Sequence, residues 1–458
     1  MSVVLTLSLA RRLGTSGFGR IEFAFNIVFW LVLIVRDCFE TIITREIARH
    51  PRLTRSLVNH VLAVKLTLAG CILTVLSGMS VFVFKDSVDR WVLIFYGLLL
   101  LTTALGLDFV YRGKETMALV AVSLFVRTSI YCAGVWYWVN DPSKVLLVPL
   151  WLAGGEITGI ALVWVAYTRR YGFPRPILGL RFLLVLLRRG RSVGLIHLCQ
   201  AVIVSADLLV VGLMGRWSDV GRYGAPHRMI SAVMAFGMIF QQVVFPALSR
   251  NWRASTDSGR RLLDFAVRVL VSAFIPVAVG GTLLAEPLVR FLLPPEYHHA
   301  GTLLAVGIWK APLLSLAFLY QAALIATNRE SHGLRLLAWG SIGSAPLIAL
   351  FHGWLGLPGA ALAVLVIGLG LVVAGYQCLS TGPCRPAVHH HLGRPLLASA
   401  VMVPVCLLVL RVHVVGSVLA GALTYLLVMK LIGGFEFPTA VGEGISGPMA
   451  LCRTERRA

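Results

Sequence analysis

Apolar positions along this chain come in unbroken runs of about 20 residues, without the alternation of a half-buried strand or the polar stripe of a surface helix. Segments 91–106, 195–213 and 355–375 are nearly free of charge. A hydrocarbon core about 30 Å thick takes about 20 apolar residues of helix to cross. In lipid the backbone must satisfy its own hydrogen bonds, so each run predicts a membrane helix. A barrel would need segments of about 10 residues alternating between polar and apolar. These runs are longer and apolar on every face.

The pattern predicts about thirteen full spans, near 21–43, 60–84, 91–110, 117–138, 145–167, 192–213, 223–247, 264–285, 300–326, 334–352, 355–378, 395–411 and 414–433. Met1–Ala10 is apolar but only about half the length needed. It reads as the end of a span whose beginning is missing, as in a fragment or a misplaced start. The following Arg11 and Arg12 stand on the wrong side for a signal peptide.

Charge then sets the orientation. Counting Met1–Ala10 as the first span, the loops after the even-numbered spans hold about 21 basic and about 5 acidic residues. They include Arg45, Arg49, Arg112, Lys114, Arg169, Arg170 and Arg175. Excess Lys and Arg marks the cytoplasmic side, so both termini of a complete chain are expected there. Composition agrees: 58% of residues are hydrophobic and only 13% charged, with a mean hydropathy of +0.84, against about 25% charged in soluble proteins. The net charge of +21 follows from topology and suits anionic lipid heads. No soluble module carries a basic face for nucleic acid.

The eight cysteines are scattered without a CxxC, so neither zinc nor a redox pair is indicated. His389-His390-His391 reads as an unstructured cytoplasmic tract, with adventitious metal binding as the alternative. No metal or cofactor is expected. G-x-S-x-G, H-E-x-x-H and the P-loop pattern are absent, so no enzyme emerges.

The chain also repeats itself. Phe18-Gly19-Arg20-Ile21 and Val220-Gly221-Arg222-Tyr223 lie about 202 residues apart, each before a long span. Arg112-Gly113-Lys114-Glu115 echoes Thr327-Asn328-Arg329-Glu330. The expected organisation is an all-α polytopic membrane protein of 13–14 spans: a six-helix bundle at 1–167 with its first span incomplete, and a basic connector at 168–191. A second six-helix bundle follows at 192–378, then two additional helices at 395–433 and a cytoplasmic tail at 434–458. An even number of spans separates the copies, so the repeat is parallel, as in transporters built around a central site.

At these positions the sequence resembles a known family. Leu9-Ala10-Arg11-Arg12-Leu13-Gly14 with Gly17-Phe18-Gly19 is similar to the "ARLLGPEGFG" end of the first span in oligosaccharide flippases of the multidrug/oligosaccharidyl-lipid/polysaccharide exporter superfamily. Thr44-Arg45-Glu46-Ile47-Ala48-Arg49 is similar to their "REIAR". Asp108-Phe109-Val110-Tyr111-Arg112-Gly113 resembles the "W-L-F-x-G" turn, with Asp108 where the family has an aromatic. Asp207 through Leu213 and Val220 through Tyr223 resemble "D-x-x-x-L-G…x-V-G-x-Y". Ala225-Pro226-His227-Arg228 departs by its proline, which a helix start tolerates. The resemblance runs from residue 9 to about 365. It implies flipping of undecaprenyl-diphosphate-linked oligosaccharide repeat units across a bacterial or archaeal inner membrane, by two bundles forming a V that alternates its opening. Expected partners are the lipid-linked oligosaccharide, membrane lipids, a polysaccharide polymerase and glycosyltransferases. An ion-coupled small-molecule exporter of the same superfamily is the alternative.

Ionisable residues within spans are costly against lipid and mark interior sites. The candidates for a substrate cavity are Arg36, Asp37, Glu40, Lys65, Arg127, Glu156, Asp207, Arg228 and Lys310. A diphosphate suits Arg forks and Lys point charges. Each also has a structural reading. Arg36 and Glu40 stand four apart and could pair within one helix. Lys65 and Arg228 could snorkel to lipid heads. Asp207 could hold helices together. Arg127 and Lys310 lie too deep to snorkel, so they either face the cavity, one from each bundle, or form structural ion pairs, with Glu156 the candidate partner.

Overall fold

A computed structural model describes residues 3–177, 179–381 and 388–433. The tail 434–458, Cys384, Arg385 and Cys452 lie outside the described residues, as do the side chains of Cys38, His389 and His390. Among the described residues every regular element is helical. In chain order they are α1 (Val3–Arg49), α2 (Thr54–Val83), α3 (Ser87–Leu105), α4 (Asp108–Gly113), α5 (Met117–Trp138), α6 (Leu147–Tyr171), α7 (Leu180–Met214), α8 (Trp217–Ala254), α9 (Thr256–Leu292), α10 (Ala300–Gly307), α11 (Lys310–Ala326), α12 (Glu330–Leu355), α13 (Leu357–Ser380), α14 (Val388–Leu410) and α15 (Val414–Leu431). Among them 13 spans are long and apolar enough to cross a membrane. The chain is a multi-pass α-helical membrane protein, as its apolar runs require.

Several helices overrun their hydrophobic cores. The runs at 223–247 and 264–285 sit inside α8 and α9, which continue one to two turns further at each end. Hydropathy marks only the stretch in lipid, whereas the helix continues until a breaker stops it. Helix α7 starts at Leu180, inside the segment expected as a connector, so the loop after α6 is short. Helix α1 is interrupted at Gly14, whose φ of 66° lies in the left-handed region.

The span expected at 91–110 is in fact broken. Helix α3 stops before Gly106, where ψ is 127° and the chain is extended, and α4 restarts at Asp108. Two backbone carbonyls freed by this break find side-chain donors. Trp164 Nε1 donates to Leu105 O at 2.8 Å and Lys65 Nζ to Gly106 O at 3.3 Å. In a membrane such carbonyls cannot turn to water, so the break depends on these donors. The join between α10 and α11 differs: Ile308 and Trp309 keep right-handed helical dihedrals, leaving a distorted turn.

The helices form two compact units. One holds the chain up to Ala225 with Leu293–Tyr297 and Ser341–Ala360; the other holds Pro226–Leu292, His298–Gly340 and the chain from Ala361 onward. In the first unit α1 is the hub, packing on α2, α3, α4 and α7. Asn26 and Trp30 of α1 both bond Ser205 of α7, at 3.0 and 2.9 Å. The two repeat motifs meet within this unit. A Cβ on Gly19 would lie 2.0 Å from Trp217 O, and one on Gly221 1.9 Å from Thr15 O. Only glycine allows backbones this close. In the second unit α9 is the hub for α10, α11, α14 and α15. Pro276 lies inside α9 and leaves the Ser272 carbonyl without its helical donor. Tyr425 of α15 supplies one, its hydroxyl donating to Ser272 O at 2.7 Å.

Candidate functional site

Nine ionisable residues of the first unit form three clusters, built on α1, α2 and α4 to α7. The deepest is centred on Arg127 of α5. Helices α5 and α6 approach closely because Gly155 and Gly159 face Arg127. Cβ atoms there would lie 2.5 Å from the Arg127 carbonyl oxygen and 2.2 Å from its Cγ, the small-xxx-small contact of membrane helices. The side chain therefore lies along α6. Its Nη1 meets Glu156 Oε2 at 3.1 Å, and its Nη2 bridges both oxygens of Asp108 at 3.0 and 3.1 Å. Nε donates to Ser123 Oγ at 3.1 Å. All three guanidinium nitrogens are thus engaged, and the Arg127 side chain is only 14% exposed. Of the two readings open for Arg127, the ion pair with Glu156 is present. Asp108 completes it, placed there by the break between α3 and α4.

The second cluster surrounds Glu40. Lys65, fully buried, pairs with Glu40 at 2.9 Å, and Arg112 approaches the other Glu40 oxygen at 3.6 Å. Two sequence expectations are corrected here. Lys65 does not snorkel to lipid heads, because Glu40 and the Gly106 carbonyl hold it inside. Glu40 faces across to α2 and α4, so its pair is not the intrahelical one with Arg36. In the third cluster Arg36 instead bonds its neighbour Asp37 at 2.7 Å, and His197 of α7 bonds the other Asp37 oxygen at 3.1 Å.

Asp207 is buried and accepts from Tyr223 Oη at 2.8 Å, so two residues of the resemblance motifs hold α7 to α8. Arg228 is half-buried about three turns into α8, which begins at Trp217. Lys310 is buried as the first residue of α11, in the second unit.

The charge balance follows directly. One cation and two carboxylates make the Arg127 cluster formally negative. Two cations and one carboxylate make the Glu40 cluster positive. The Asp37 cluster is neutral, or positive with His197 protonated. Sequence reasoning missed three members. Asp108 was noted only as a departure from a motif, Arg112 only as a loop charge, and His197 not at all. An ionisable residue at membrane depth was the available signal for Asp108 and His197. Arg112 gave none, because its partner is set by the break in α3.

At the far end of the unit from the basic loops, Arg20 pairs with Asp86 at 2.9 Å and Asp89 at 3.2 Å, and Trp217 Nε1 donates to Asp89 at 3.0 Å. Tyr297, in the loop beyond α9, is buried and donates to Ala10 O at 3.5 Å. Burial raises its phenol pKa above the usual range.

Comparison with known proteins gives three kinds of result. The sequence model of the family described as "Polysaccharide biosynthesis protein" matches residues 1–252. No curated protein matches the chain. Among solved structures, the lipid II flippase MurJ in an inward closed conformation is similar, with a TM-score of 0.73 at 14% identity, over 94% of this chain and 96% of that one. An inward-facing MATE-family multidrug resistance transporter of the MOP superfamily aligns with a TM-score of 0.68 at 12% identity, over 82% and 92%. The MATE multidrug transporter DinF-BH aligns with a TM-score of 0.61 at 18% identity, over 83% and 90%. At these identities the likeness is one of fold.

Proposed function

We propose a function from the premise that this chain belongs to the polysaccharide biosynthesis protein family: it flips undecaprenyl-diphosphate-linked oligosaccharide repeat units across a bacterial inner membrane for surface polysaccharide assembly. Residues 1–167 and 192–378 act as the two transporting bundles and alternate access to the substrate. No covalent chemistry takes part. A polymerase and glycosyltransferases work on the same lipid-linked intermediate.

The observation that carries this reading is the set of cations in the ion-pair clusters of one unit: Arg36, Lys65, Arg112 and Arg127, carried by α1, α2, α4 and α5. A diphosphate crossing hydrocarbon needs such charges in place of water. Because Arg127 is fully bonded by Asp108 and Glu156, a diphosphate at this position must displace a carboxylate. The Glu40 cluster has one cation in excess and is the better first contact. Lys310 is assigned the same role from the second unit.

A second reading stays open because the Arg127 cluster has a carboxylate in excess. That arrangement suits a monovalent or organic cation, as an ion-coupled small-molecule exporter requires.

The test is reconstitution of the purified chain in liposomes with a fluorescent undecaprenyl-diphosphate oligosaccharide in the inner leaflet. Flipping to the outer leaflet supports the proposal. Efflux of a cationic dye with no flipping selects the exporter. In cells, a deletion strain should lose surface polysaccharide and accumulate the undecaprenyl-linked sugar. Normal polysaccharide in that strain would refute the assignment.

A further inference from the structure

Outside these ion pairs, the basic-loop end of the first unit holds two buried tyrosine hydroxyls beneath a ring of cations. Tyr111 of α4 and Tyr167 of α6 belong to one hydrophobic cluster, which includes Phe39, Val110 and Val163. Tyr167 is 0% exposed and Tyr111 8%. Neither hydroxyl has a hydrogen-bond partner. A buried donor without an acceptor is unfavourable, and native interiors rarely keep two together without a reason.

Cations surround the spot. Tyr171 packs on Tyr167 with ring centroids 5.1 Å apart. Lys114 donates to the Tyr171 hydroxyl and stands 4.4 Å from its ring centroid, and the Arg170 guanidinium is 5.8 Å from the same ring. The Arg55 guanidinium lies 3.7 Å from where Gly172 would carry a Cβ. Arg55 acts electrostatically on Tyr167, and Arg170 on Tyr111. The network of Arg127 uses none of these side chains.

We propose that Lys114, Arg55 and Arg170, with the Tyr111 and Tyr167 hydroxyls, form a binding site for a phosphate group at the basic-loop face of the membrane. A phosphate carries several acceptor oxygens and negative charge. Arg forks and a Lys supply charge-assisted hydrogen bonds, and the tyrosines supply neutral donors from below. Lys114 now spends a donor on Tyr171, the last residue of α6. A phosphate oxygen replaces that acceptor, and movement of Tyr171 at the helix end uncovers the two hydroxyls. The bearer of the phosphate is either a lipid head group or a free phosphate or pyrophosphate. The site does not depend on the transport assignment above.

The test uses the full chain in phosphatidylcholine nanodiscs. One arm titrates inorganic pyrophosphate by calorimetry. The other incorporates phosphatidylglycerol or a polyprenyl phosphate and counts retained lipid by native mass spectrometry. Saturable binding in the first arm identifies a free phosphate, and retention in the second identifies a lipid head group; each supports the site. In whichever arm responds, K114Q and the double variant Y111F/Y167F should each weaken binding about tenfold or more, the scale of a lost charge-assisted hydrogen bond. The Phe variants keep the apolar cluster, so folding is retained and checked by the melting temperature. The proposal fails if neither arm binds, or if Y111F/Y167F binds as tightly as the parent. Flipping is measured separately on the same purified proteins reconstituted in liposomes, so either proposal can fail alone.

Discussion

In the first unit polar groups at membrane depth meet one another as side-chain ion pairs: Lys65 with Glu40, Arg127 with Asp108 and Glu156, Arg36 with Asp37. In the second unit prolines lie inside the helices, at Pro246, Pro276, Pro287, Pro395 and Pro404, and each removes one backbone donor. Two polar ties of that unit run from side chains to backbone carbonyls, Tyr425 to Ser272 O and Gln241 Nε2 to Phe318 O at 2.6 Å. The two solutions have different physical consequences. An ion pair in a low-dielectric interior fixes two side chains and is costly to leave half-made. A proline break answered by a single neutral donor tolerates bending, since one hydrogen bond is worth about 1 kcal/mol. The ion pairs named in the first unit thus hold their helices through two or more charged groups, whereas the Pro276 position in α9 rests on one neutral donor.

The comparison is broken most severely at Lys65. Replacing it with methionine leaves Glu40 facing only Arg112 and takes the donor from Gly106 O. We expect K65M to lose about 3–5 kcal/mol, the scale for a buried charge stripped of its partner, seen as a large fall in the melting temperature of the purified protein. The double variant E40Q/K65M should recover much of the loss. If K65M melts like the parent, the pair is not a structural tie.

Arg127→Gln comes next. Two carboxylates, Asp108 and Glu156, are then left together, at a cost of about 3 kcal/mol. R127Q should fold poorly, and the triple variant D108N/R127Q/E156Q should fold well. If the triple variant is stable and still flips lipid-linked oligosaccharide at the parental rate, Arg127 is a structural residue only. If R127Q alone has parental stability, the ion-pair account of the first unit is wrong.

The smallest effect sharpens the contrast from the other side. Tyr425→Phe removes one donor and should cost about 1 kcal/mol. In a P276A background the alanine N–H can bond Ser272 O itself, so the same Tyr425 change should cost clearly less. Equal losses in both backgrounds, measured by thermal unfolding, would show that Tyr425 is not answering the proline.

The legible and illegible parts of the molecule divide along one line. The sequence determined the spans, their number and their helical form, because lipid leaves each apolar run of about 20 residues one way to satisfy its backbone. It also marked Phe18-Gly19-Arg20 and Val220-Gly221-Arg222 as copies, and Glu156 as a partner for Arg127. It did not show that Gly19 and Gly221 press into each other's helices, that α3 breaks at Gly106 to deliver Asp108, or that Lys65 turns inward to Glu40. Those facts depend on how each helix is rotated and how far it slides against its neighbours. Rotation and slide are settled by small-residue contacts such as Gly155 and Gly159 against α5, and hydropathy carries no trace of them: it records only how well a helix tolerates lipid, while the choice of partner is a property of two helices together.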